Sequence, residues 1–208
     1  IRDVAPSRGL GDVYKRQRDI LTIKGLIRRG EARTACTFNQ VPLSRCHFLD
    51  LPFYETGKIE KNPISEADVE IVLKLLREVK PHQIFVAGDL ADPHGTHRVC
   101  TDAVLAAIDI EKEAGAEWLK DCRIWMYRGA WAEWEIENIE MAVPFSPEEL
   151  RAKRNSILKH QSQMESAPFL GNDERLFWQR SEDRNRGTAA LYDLSLIHIS
   201  EPTRRSYI

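Results

Sequence analysis

Two spacings of apolar residues run along this chain, and the changes between them mark its elements. Cys46–Leu51, His82–Gly88 and Cys122–Tyr127 are short apolar-rich runs, the middle one set off by Pro81, and they read as strands. Between them lie two amphipathic stretches. Ser65 opens the first, with Asp68 three residues on in a capping-box position. Val72, Leu75, Leu76 and Val79 form its buried stripe, and Lys80-Pro81 stops it. In the second, Val99, Ala103, Ala106 and Ala107 recur at helical spacing. Strand, helix, strand, helix, strand predicts an α/β fold, with a mainly parallel sheet flanked by helices. A helix over Arg18–Phe38, weakened by Gly25 and Gly30, precedes this unit. After it come an aromatic run at Arg128–Trp134, an extended edge segment over Glu137–Val143, and a helix from Ser146-Pro147 through His160. A last amphipathic helix covers Asp173–Tyr192.

Both ends read as foreign to this pattern. Leu194–Arg204, LSLIHISEPTR, is an in-frame translation of a transposon-end adapter used in sequencing libraries, and Asp12–Gln17, DVYKRQ, translates the complementary end. Residues 1–17 and 194–208 are therefore expected to be non-native, and fold reasoning rests on 18–193 as part of one domain of a longer gene product.

With 208 residues, a net charge of −2 and 42% hydrophobic residues, the chain suits one soluble domain or most of one. Its basic clusters, Arg28-Arg29 and Arg151–Arg154, lie on helical segments among acidic residues, which points away from nucleic acid. No apolar run approaches the length of a membrane span. Cys36, Cys46, Cys100 and Cys122 are scattered without C-x-x-C spacing, so free thiols in a reducing cytoplasm are expected. No G-x-G-x-x-G opens a helix, which disfavours a dinucleotide site. Assembly into a homo-oligomer is compatible with all of this.

Chemistry concentrates in Asp89–Arg98, between the second strand and the helix after it, where open α/β sheets bind ligands. His94 and His97 are an H-x-x-H pair suited to holding zinc or an oxyanion, and Asp89 or Asp92 could orient a ring. The competing reading is two surface histidines near a helix start.

The strand followed by Asp-x-His-x-x-His-Arg and a helix resembles the second metal motif of the LmbE-like (PIG-L) zinc-dependent de-N-acetylases. Arg28-Arg29-Gly30-Glu31-Ala32 is similar to that family's early R-x-x-E helix, and Lys159-His160-Gln161-Ser162-Gln163 to its late H-x-S-Q helix. The whole of 18–193 resembles the C-terminal part of bacterial proteins in which such a module follows a glucosamine-6-phosphate deaminase module. The resemblance implies a partial Rossmann-like LmbE fold, with His97 a zinc ligand, His94 stabilising an oxyanion, and Asp92 supporting a ring. It further implies an amino-sugar substrate, with Arg28, Glu31 and His160 as substrate contacts and Tyr127 and Trp131 as minor candidates for a sugar-facing wall. Arg28 and Glu31 could equally form a helical ion pair, and His160 could be the polar tip of its helix. The family's His-Pro-Asp-Asp motif, which carries two further ligands and the general base, does not occur in this chain. The chain alone is thus expected to be inactive, a non-catalytic appendage of the deaminase being the alternative for the parent module. Many relatives have Pro-Asp where this chain has Gly95-Thr96 between the histidines, a departure that keeps the spacing and removes a carboxylate.

Overall fold

The central unit of the computed structural model, which describes residues 10–54, 62–88, 95–128, 134–164 and 175–199, is a helix-strand-helix-strand segment. In it α2 (Glu66–Val79) leads to β1 (Gln83–Ala87), α3 (Thr96–Glu113) and β2 (Arg123–Tyr127). The two strands are parallel, with Phe85 opposite Trp125. Before them lies α1 (Leu10–Phe38), and after them α4 (Pro147–Ile157) and α5 (Phe177–Ile199). The expected α/β class is borne out.

Why α2 and α3 pair follows from their side chains. Ala103 and Ala107 stand one helical turn apart and are fully buried, so that Val72, Leu73 and Leu76 of α2 approach closely. Ile84 of β1 and Leu49 and Leu51 from the preceding loop close over the same cluster. The stripe of α2 is turned slightly from the expected one: Leu73 is buried and Val79 is 56% exposed. Lys80 ends the helix in a left-handed conformation, φ 47°, because Pro81 disfavours the right-handed one before it. That leaves Val79 on the last, outward turn.

Asp68 fixes the other end of α2. Fully buried, it accepts hydrogen bonds from the Ser65 backbone N–H (2.8 Å) and hydroxyl (2.5 Å) and from the Phe53 N–H (2.9 Å), tying the incoming loop to the first turn. At the far side of the pair, Glu111 of α3 is 4% exposed and accepts from Arg77 Nε of α2 (2.7 Å) and Trp118 Nε1 (3.0 Å).

Three expectations change. Residues 46–51 form no strand: a strand exists only by ladder pairing, no described segment pairs with these residues, and Asp50 adopts a φ of 51° that breaks an extended run. Residues 137–143 hold a short 3-10 turn at Ile136–Asn138 and lie outside the sheet. The helix from Ser146 stops at Ile157, so His160 follows it and does not belong to its last turn. Helix α1 begins at Leu10, inside the segment read as adapter, and α5 continues to Ile199. Extending an existing helix costs little per residue, whatever the origin of the sequence.

α4 and α5 are joined by charge. Glu182, 5% exposed, accepts from Arg154 (2.6 Å) and pairs with Arg186 (3.5 Å), and the Arg154 guanidinium lies 4.4 Å from the Trp178 ring. Along α1, an added Cβ at Gly25 or Gly30 would meet nothing within 4 Å. Gly25→Ala and Gly30→Ala are each expected to stabilise the chain by about 0.5–1 kcal/mol, through lower unfolded-state entropy, in urea titrations. Unchanged midpoints would contradict this.

Candidate functional site

β1 delivers the chain to the expected ligand edge, and α3 leaves it. The Thr101 hydroxyl of α3, 2% exposed, donates to the Ala87 carbonyl at the last residue of β1 (2.7 Å). His97 stands one turn earlier on the same side of α3, and its Nδ1 is shielded from solvent. α3 starts at Thr96, so His97 lies in its first turn. His94, Asp92 and Asp89 lie outside the described residues, as does Trp131. Gly95 enters α3 with φ 66°, a conformation glycine takes freely and proline, held near −65°, cannot. At Gly95, therefore, the backbone takes a conformation that a proline could not adopt.

A second cluster closes the strand ends, and the sequence reading had only its aromatic density to go on. Trp134 donates its indole N–H to the Met126 carbonyl (2.8 Å), and the Arg128 guanidinium lies 4.1 Å from the Trp134 ring centre while Nε reaches the Gly88 carbonyl (3.2 Å). Gly88 is required here: a Cβ would come within 2.8 Å of the Trp134 ring and 3.0 Å of Met126 Cβ. Trp134 is thus packed against the strand ends, and Tyr127 is 56% exposed.

Arg28, Glu31 and His160 come together where α1 meets the turn after α4. The Glu31 carboxylate accepts from the Ser162 backbone N–H (2.6 Å) and from its hydroxyl (2.7 Å). Burial pushes the Glu31 pKa up, but the two Ser162 bonds and the nearby His160 and Arg28 outweigh it and hold the carboxyl below its usual range. This long-range link holds Glu31 directly, and the Arg28 charge nearby adds to it. Ser162 was missed as a participant because its partner is 131 residues away, beyond any periodicity; the shared H-x-S-Q pattern was the available signal. Ser162→Ala is expected to cost about 1 kcal/mol and to speed amide exchange over residues 158–164. Exchange unchanged in that turn would mean that Glu31 does not hold it.

The donor set can be weighed directly. Among the described residues no three His, Cys, Asp or Glu side chains are grouped as metal ligands. His97 is a suitable single donor, and a catalytic zinc takes three from the protein. The described residues thus do not make a full zinc site. None of the four cysteines is in a disulfide.

Residues 8–108 match the family described as PIG-L, GlcNAc-PI de-N-acetylase. That match agrees with the resemblance that the histidine motif and the early R-x-x-E helix carry. Across 176 residues, 85% of its length, it is 90% identical to a protein of Bacteroides thetaiotaomicron named as glucosamine-6-phosphate deaminase-like, of which those residues span 26%. The chain thus covers about a quarter of that relative's length. No solved structure matches it.

Proposed function

We propose that this chain is part of a zinc-dependent hydrolase domain that removes the acetyl group from an N-acetylglucosamine-type amino sugar, within a longer cytoplasmic polypeptide that also carries a glucosamine-6-phosphate deaminase module. The observation that supports the reading is the Thr101–Ala87 bond, which seats α3, the helix that carries His97, on the carboxyl end of β1 inside the matched PIG-L segment. In this reading His97 is one zinc ligand, His94 offsets charge developing on the carbonyl oxygen, and Asp92 orients a neighbouring ring. Arg28 and His160 face the sugar or its phosphate, with Glu31 beside them. Two ligands and the general base come from elsewhere in the longer polypeptide. Zinc held by His97 and two donors from elsewhere would supply Lewis-acid activation of water near neutral pH. The 208-residue chain by itself is then inactive. Residues 1–17 and 194–208 stand outside the functional module in this proposal; the relative's match is 176 residues long, the length of the interval 18–193.

The test is acetate release from N-acetylglucosamine and its 6-phosphate by the zinc-replete Bacteroides relative and by the 208-residue chain. Chelator-sensitive release by the relative alone is expected. Absence of release by the relative on every N-acetylated amino sugar tried would sink the reading, and full activity of the short chain would show that the ligands are assigned to the wrong polypeptide.

A further inference from the structure

We propose that the free edge of β1 is a docking slot for one apolar β-strand of the longer polypeptide, seated between β1 and the 46–51 segment. The ladder defines that edge. The Arg123 N–H donates to the His82 carbonyl (2.9 Å) and the Gly88 N–H to the Tyr127 carbonyl (2.7 Å), so even-numbered residues of this stretch bond to β2. In a parallel pair the intervening residues, Gln83, Phe85 and Ala87, turn their N–H and C=O groups to the other side. Thr101 takes the Ala87 carbonyl, and no described segment pairs with the rest.

The 46–51 segment has the side-chain alternation of a neighbouring strand without its ladder. Leu49 and Leu51 reach the same core cluster as Ile84, while Phe48 and Asp50 turn to α1: Arg29 and Arg33 lie 5.5 Å from the Phe48 ring, and Arg29 pairs with Asp50. Apolar side chains are exposed both on the sheet and on α1. Phe85 is 54% exposed on the sheet, and Ile20, Ile23, Leu26 and Ile27 of α1 are between 48% and 62% exposed. Trp125, opposite Phe85, has a buried indole N–H without an acceptor among the described residues. Parallel sheets are ordinarily covered on both faces, and unpaired edges invite another strand. An occupant from the same polypeptide is favoured because the relative, 90% identical over the matched stretch, is about four times as long as that stretch. A strand parallel to β1 would end beside His97. The slot does not depend on the deacetylase reading.

The experiment mixes the 208-residue chain with the part of the Bacteroides relative that lies outside the matched stretch, produced as a separate chain. Expected are a 1:1 complex by light scattering, slowing of amide exchange at Gln83, Phe85 and Ala87 by about tenfold or more, and a moved Trp125 indole resonance. Phe85→Pro removes an N–H unused by β2, and Phe85→Lys sets a charge on the face without touching the backbone; both should abolish the complex while the second keeps the fold. Lack of a complex, a complex that leaves those three amides unchanged, or equal binding by Phe85→Lys would overturn the proposal. So would a dimer of the short chain that already protects them, which would make a second copy the occupant.

Discussion

His97→Ala, introduced into the full-length relative, should abolish both zinc binding and deacetylation. A three-ligand site that loses one donor holds its metal poorly, and without metal the water nucleophile is no longer available near neutral pH. His94→Ala provides the contrast, since a group that only offsets charge on the oxyanion leaves the ligands intact. It should retain zinc and slow turnover by about a hundredfold or more, with kcat and kcat/KM falling together. Metal content by elemental analysis and acetate release, measured on the same preparations, separate the two roles. Full zinc occupancy in His97→Ala, or loss of zinc in His94→Ala, would show that the roles are assigned to the wrong histidines. Thr101→Val supplies a milder case: the hydroxyl bond that seats α3 on β1 is lost, so the metal affinity should fall without vanishing.

Local rules carried much of this fold and little of its long-range wiring. Ser65, Asp68 and Lys80-Pro81 marked the ends of α2 because capping and proline sterics act within four residues. The two strands that have partners were legible from their apolar runs, whereas Cys46–Leu51 has the run and lacks the partner, which no sequence window can register. The last turn of α2 shows the same limit: Val79 fits the stripe by spacing, but only the position of α3 decides that Leu73 is buried in its place. In the candidate site, the position of His97 at the start of the helix that follows β1 was legible because strand, loop and helix are contiguous. Ser162 holding Glu31, and Trp134 against Gly88, depend on packing between segments far apart in sequence.

Asp68→Ala should be among the most destabilising single changes in the chain, at about 3 kcal/mol. Its carboxylate is fully buried and holds two backbone N–H groups and one hydroxyl, and alanine would leave the buried Phe53 N–H without an acceptor while freeing the loop from α2. Asp68→Asn keeps the shape and removes the charge together with one acceptor: the amide can accept from Phe53 but presents an NH2 group to Ser65. The sign of the pH effect follows from the same bonds. Burial pushes the Asp68 pKa up, the Ser65 hydroxyl and the Phe53 and Ser65 N–H groups more than reverse it, and the carboxyl ends below its usual value of 3.8. A depressed carboxylate contributes stability that is present above its unfolded pKa and is lost as pH falls through the folded one. Glu111 and Glu182, also lowered, add losses of the same sign below about pH 4.5. Urea unfolding of the wild type and Asp68→Asn between pH 7 and pH 3 should therefore show two curves that stay parallel down to about pH 4 and then converge. Curves that remain parallel at pH 3 would mean that the Asp68 charge contributes nothing to the cap.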